Sequence, residues 1–252
     1  MYARLLDIIP EDYWALAGYL EIYIEDLVRD DEENRRRAKL ERFVELQRKL
    51  KDLKIHDFDV ENGAEVEILK NLFTLLFESC KESLTELHIL DCNLQTVPLS
   101  DVPLKNLSYL RLTITEEPGF AWYSLMLVDA STLMPKLEEV SIEVKFRHLG
   151  TRRRWPPLYL GTRPARRPYG RVRQLEIDFE NANVDLYAVS AMFPNVSSLT
   201  MYFYRSRCIH FGEIWEFWPN LEVLNIRGDQ MTLEQNFDSE FCGRGDRVEG
   251  NG

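Results

Sequence analysis

A chain of 252 residues, 45% hydrophobic and 12% aromatic, has material for a packed core in one elongated domain or two small ones. Its formal net charge of −11 argues against generic binding of the whole molecule to a polyanion such as duplex DNA. No stretch reaches the ~18 uninterrupted apolar residues of a membrane-spanning helix, and MYARLLDIIPEDYW lacks the apolar core and cleavage site of a secretory signal, so no membrane partner is expected.

Residues 1–49 read as an N-terminal helical segment. EDYWALAGYLEIYIEDL (11–27) and ENRRRAKLERFVELQRKLKDL (33–53) both have helical character, the second placing Leu40, Phe43, Val44, Gln47 and Leu50 on one face. Glu33 with Arg37 and Glu45 with Lys49 add favourable pairs four residues apart.

From residue 50 to 241 a short pattern recurs. FPNVSSLTM (193–201) is echoed by WPNLEVLNI (218–226) and MPKLEEVSI (134–142). Their shared core, two Leu/Val three residues apart and then Ile, Leu or Met, occurs at Leu84-Leu87-Ile89, Leu107-Leu110-Leu112, Leu137-Val140-Ile142, Val172-Leu175-Ile177, Val196-Leu199-Met201 and Leu221-Leu224-Ile226, with Leu50-Leu53-Ile55 as a seventh match. Starts are 34, 23, 30, 35, 24 and 25 residues apart, a repeat of variable length.

If each match is a strand, alternation sends the intervening residues to the opposite face. Those are Glu86, His88, Leu90; Tyr109, Arg111, Thr113; Glu139, Ser141, Glu143; Gln174, Glu176, Asp178; Ser198, Thr200, Tyr202; and Val223, Asn225, Arg227, nearly all polar. Helix-like runs at 67–80, 122–134, 185–193 and 211–218 lie between the matches, and strand-helix-strand order implies parallel pairing. Strands covered on both faces read as unbroken apolar runs, so this alternation predicts one open face. The fold class expected is α/β: a curved parallel sheet with helices outside and an exposed concave side. The residue before each Pro in the three matching nonapeptides is read as an apolar anchor ending a helix.

Between the third and fourth matches an insertion at 147–171 interrupts the repeats. The run RHLGTRRRWPPLYLGTRPARRPYGRVR (147–173) holds nine Arg and no acid, so the rest of the chain carries −20. Its Pro and Gly content predicts a long loop. Arg152, Arg153, Arg154, Arg166 and Arg167 fit an arm for acidic or phosphorylated protein segments, since Arg forks take two oxygens at once. A second reading makes the same loop an RNA contact, with Trp155 and Tyr159 stacking on bases. Self-pairing with the acidic remainder is the plain alternative.

TLEQNFDSEF (232–241) reads as another outer helix, and residues 242–252 as a disordered tail, in which Arg244-Gly245-Asp246 is taken as a chance match to an integrin-binding tripeptide.

LTELHILDCNL (84–94) fits the pattern LxxLxLxx[N/C]xL, with Ile89 at the third apolar place and Cys92 at the Asn or Cys place. By this stretch, residues 50–241 resemble the leucine-rich-repeat family, most closely its ribonuclease-inhibitor-like branch in F-box/LRR proteins, and IPEDYWALAGYL (9–20) echoes the start of an F-box. The resemblance implies a repeat solenoid, a structural role for Cys92 in bonding neighbouring backbone, and a substrate-recognition subunit of a ubiquitin ligase. Later repeats carry Thr115, Lys145, Glu180, Tyr204 and Asp229 where Cys92 stands, so the Cys ladder is not continuous.

The four cysteines, Cys80, Cys92, Cys208 and Cys242, have no metal-type spacing and are too few to staple the chain, which fits a reduced cytoplasmic or nuclear protein. His88 and Cys92 would lie ~13 Å apart along a strand, too far for a thiol-imidazole pair. No GxSxG, HExxH, P-loop or GxGxxG is present. The expectation is a non-catalytic protein-binding module without metal or cofactor. Its partner would contact Glu86, His88, Tyr109, Arg111, Glu139, Glu143, Glu176, Asp178, Thr200, Tyr202, Asn225 and Arg227, together with the five arginines of the loop.

Overall fold

The computed structural model describes residues 11–23, 39, 41–56, 63–90, 99, 101–114, 129–144, 168–179, 186–203 and 211–228. Eight strands run through them: β1 Tyr19–Tyr23, β2 Asp52–His56, β3 Glu86–Leu90, β4 Tyr109–Ile114, β5 Glu139–Val144, β6 Gln174–Phe179, β7 Ser198–Phe203 and β8 Val223–Gly228. They make one sheet in which every strand pairs in parallel with the next in the chain, in the order β1 to β8. Parallel neighbours require a crossover on each step. Helices supply several of these: α1 Glu11–Trp14 precedes the sheet, and α2 Gly63–Cys80, α3 Ala130–Leu133, α4 Leu186–Met192 and α5 Phe211–Phe217 lie between strands.

The apolar positions of the repeat all turn to one side. Leu53 and Ile55, Leu87 and Ile89, Leu110 and Leu112, Val140 and Ile142, Leu175 and Ile177, and Leu199 and Met201 are buried in a single core cluster. Leu69, Phe73, Leu76, Phe77 and Cys80 of α2 join it, as do Ala130 of α3, Val189 and Met192 of α4 and Ile214 of α5. Their three- and four-residue spacing in α2 gives that helix one apolar stripe against the sheet. Each Val, Leu, Ile, Phe or Met side chain so removed from water contributes ~1.5–3 kcal/mol.

Two features repeat from one coil to the next. The first is a backbone hinge: the carbonyl just before each strand accepts two N–H groups from the next coil. Gly18 O takes Lys51 N and Asp52 N, Lys51 O takes Thr85 N and Glu86 N, and Thr85 O takes Ser108 N and Tyr109 N. Ser108, Glu138, Arg173 and Ser197 continue the series to Glu222 and Val223. This locks the register, so variable loop lengths are absorbed elsewhere.

The second feature is the anchor. Leu104, Met134, Tyr169, Phe193 and Trp218, each three residues before a repeat's first Leu or Val, are all buried. Met134, Phe193 and Trp218 are the residues before Pro in the three matching nonapeptides, and all three N–H groups bond back four residues, to Ala130 O, Val189 O and Ile214 O. Tyr169 fills the same role with Gly170 in place of Pro. Residues 168–171, assigned by sequence to the basic insertion, therefore belong in part to the turn into β6, with Tyr169 and Val172 in the core.

The N-terminal reading needs correction. Residues 11–14 are helical and so are 41–45, but Tyr19–Tyr23, inside a stretch that reads as helix, is strand β1, and the helical run expected to 53 gives way at Asp52 to strand β2, the seventh match. Ile22 and Leu53 cap the core cluster at this end, so the sheet starts inside the segment expected to be a helical cap. The run 122–134 is helical at Ala130–Leu133, with 122–128 outside the described residues. Cys92, residues 147–167 of the basic insertion, the helix expected at 232–241 and the tail also lie outside them. No described helix is long and apolar enough to cross a membrane.

Candidate functional site: the polar face of the sheet

The in-register pairing lines up the outward side chains in rows across the strands. One row reads Tyr19, Asp52, Glu86, Tyr109, Glu139, Gln174, Ser198, Val223, and the next Glu21, Lys54, His88, Arg111, Ser141, Glu176, Thr200, Asn225. A third runs Thr113, Glu143, Asp178, Tyr202, Arg227 across β4 to β8, with Tyr23 and His56 paired at the other end. All twelve strand residues proposed from sequence thus share one face, with α2 to α5 packed against the other. Arg152, Arg153, Arg154, Arg166 and Arg167 lie outside the described residues.

Sequence reasoning missed the contribution of β1 and β2. Glu21 sits at its centre: Tyr19 Oη donates to it at 2.8 Å, Tyr23 Oη at 3.1 Å, and His56 Nε2 lies 2.7 Å away. The Tyr19 hydroxyl, more than Tyr23 and His56, holds the Glu21 carboxyl below its ordinary range against the opposing effect of desolvation. The Tyr23 and His56 rings stack at 4.4 Å, and Lys54 Nζ lies over the Tyr19 ring. A signal did exist: Ala17-Leu20-Ile22 is the repeat pattern with Ala in its first place.

Next along, His88 lies 3.7 Å from Asp52 and 3.9 Å from Glu86, with the Tyr109 ring against it at 5.2 Å. Burial depresses the His88 pKa, with Lys54 and Arg111 acting in the same direction and Asp52 and Glu86 opposing. At the middle of the sheet carboxylates dominate. Glu143 Oε2 accepts from Thr113 Oγ1 at 3.1 Å and meets Arg111 Nη2 at 3.5 Å; Ser141 donates to Glu176 at 3.4 Å. Thr113 and Ser141 are themselves buried, so two positions expected to be wet are covered by these longer neighbours. Glu139 has its carboxyl raised, first by desolvation and then by Glu176 and Glu86. At β8, Arg227 lies over the Tyr202 ring at 5.6 Å and Asn225 reaches Thr200 at 3.5 Å.

The chain matches no family model and none of the curated proteins compared with it.

Seven carboxylates occupy this face: Glu21, Asp52, Glu86, Glu139, Glu143, Glu176 and Asp178; its permanent cations are Lys54, Arg111 and Arg227. The field is therefore negative, with Tyr19, Tyr23, Tyr109 and Tyr202 distributed through it. Such a surface attracts cations and offers flat rings for them to lie on. Cys80, the described thiol, is buried with its pKa pushed up to about 12 by desolvation, which keeps it from acting as a thiolate near neutrality.

Proposed function

We propose that the chain is a non-catalytic protein-interaction module, a leucine-rich-repeat-like solenoid whose polar sheet face holds an extended segment of another protein. One observation carries this reading: eight strands in register present continuous rows of mainly polar side chains, with seven carboxylates and four tyrosines among them, on the side away from the helices. Long rows of regularly spaced polar groups suit a chain-like ligand better than a small molecule, which wants a concave, mostly apolar cavity. Tyrosines give contact area at low entropic cost.

The charge of the face selects a Lys- or Arg-bearing segment. This differs from the acidic or phosphorylated partner read from the Arg-rich insertion; that partner belongs to the insertion at 147–171 rather than to the sheet. By resemblance to F-box/LRR proteins, the concrete form of the role is substrate recognition for ubiquitin ligation. Strand β1 takes up part of the stretch that echoes an F-box, so the recognition role rests on the sheet face and not on that stretch.

Fluorescence-anisotropy titration of the full chain with two labelled peptides, one Lys/Arg-rich and one phosphoserine-rich, tests the reading. The basic peptide should bind, weaken as salt rises, and be lost on changing Glu139 and Glu176 to Lys together. Binding of the basic peptide that survives this double change, or no binding of it at low salt, would remove the face from consideration.

A further inference from the structure

We propose that Asp52, Glu86 and His88 form a binding site for a divalent transition-metal ion, zinc in the first place, where β2 meets β3 on the polar face. Asp52 and Glu86 are direct cross-strand partners, and His88 follows Glu86 by two residues, so all three side chains leave the same face. One possible ligand atom from each lies within 4.8 Å of the other two. His88 Nε2 is 3.7 Å from Asp52 Oδ1 and 3.9 Å from Glu86 Oε2. Two ligands on one tetrahedral zinc stand about 3.4 Å apart, from bonds near 2.1 Å. The imidazole need close on each carboxylate by only a few tenths of an ångström, and the two carboxylate oxygens, within 4.8 Å of each other, by up to about 1.4 Å through side-chain rotation.

Two further observations distinguish the triad from an ordinary surface ion pair. Asp52 Oδ1 is buried and has no hydrogen-bond donor, an arrangement that costs free energy unless something positive meets it. The neighbouring cations, which could have met it, are engaged elsewhere: Lys54 Nζ lies over Tyr19, 5.2 Å from the ring centroid, and Arg111 Nη2 reaches Glu143 at 3.5 Å on the far side. What remains is a surface cluster of two carboxylates and an imidazole, with the Tyr109 ring 5.2 Å from the His88 ring.

The donor set narrows the ion. Calcium and magnesium favour all-oxygen cages, whereas one imidazole with two carboxylates suits zinc and its first-row neighbours. Three protein ligands leave a fourth position for water or for a group of a bound partner.

The full chain, stripped of metal, is titrated with Zn2+ by calorimetry, and Co2+ serves as a spectroscopic probe because its visible bands report tetrahedral coordination. His88→Gln and Asp52→Asn are each expected to weaken zinc binding about 100-fold and to abolish the cobalt bands. His210→Gln, between β7 and α5 in the chain, should leave both unchanged. Zinc binding that persists in His88→Gln, or no binding of micromolar zinc by the unaltered chain, overturns the proposal. Far-UV circular dichroism of each variant confirms the fold, and should Asp52→Asn fail to fold, His88→Gln decides alone.

Discussion

The indole nitrogen of Trp218 donates to the backbone carbonyl of Phe193 at 2.8 Å, joining the anchors of two successive coils inside the core. Trp218 is fully buried, so its ring and its hydrogen bond make separable contributions. Trp218→Phe keeps a ring but strands the Phe193 carbonyl, with an expected cost of ~1–3 kcal/mol. Trp218→Ala also opens a cavity and should cost ~3–5 kcal/mol. Urea unfolding with an unchanged slope would measure both, and a Trp218→Phe variant as stable as the parent would show that the hydrogen bond contributes nothing.

Among the described strands β1 lies at one edge of the sheet, and Ile22 is its buried core residue while Leu20 is only partly buried. Ile22→Ala should therefore destabilise by ~2–3 kcal/mol, the lower part of the range for buried aliphatics, and Leu20→Ala by less. Amide exchange would show the loss as faster opening of β1 and β2 before the rest of the sheet. Uniform acceleration across all eight strands would instead mean that the sheet opens only as a whole.

Glu139 stands between Tyr109 and Gln174 in its row, and its carboxyl is raised by desolvation and by the charges of Glu176 and Glu86. A carboxylate whose folded pKa exceeds the ordinary 4.5 destabilises the fold when ionised, and that cost is relieved as pH falls through the raised value. Glu139→Gln should accordingly raise the melting temperature at pH 7, with the gain shrinking as pH approaches 4. The residue is exposed, so the effect is small and falls with salt. A variant less stable than the parent at neutral pH would contradict this.

Much of the sheet was legible in the sequence because core and open face alternate with period two. The matches from Leu84 to Ile226 became β3 to β8, and the weaker match at Leu50 became β2. The strand at Tyr19–Tyr23 was hidden by Ala17 in place of the first Leu and by flanking residues that fit a helix as well as a strand. Tyr169 was missed as an anchor because Gly170 replaces the Pro that marked the others and because an Arg-rich run surrounds it. The grouping of Asp52 with Glu86 and His88 could not be read from spacing, since 34 residues separate Asp52 from Glu86 and only the parallel register brings them side by side. The same register made Thr113 and Ser141 buried, as alternation fixes the face of a side chain but not what its neighbours cover.

Glu21 predicts the opposite pH behaviour from Glu139 on the same face. Its carboxylate accepts from the Tyr19 and Tyr23 hydroxyls and meets His56 at 2.7 Å, and these contacts hold its pKa below the ordinary 4.5. An acid depressed in the folded state stabilises the fold above its unfolded pKa, and that contribution is lost as pH falls through the folded value. Glu21→Gln should therefore be less stable than the parent at pH 7, by less than about 1 kcal/mol since the carboxylate is solvated. The difference should close as pH falls below 4.5 and through the folded value, where the parent's own carboxyl becomes neutral. Denaturant titrations of both chains at pH 7, 5 and 3 would trace it. A gap that stays constant across the three would assign the loss to packing of the Tyr19, Tyr23 and His56 rings rather than to charge.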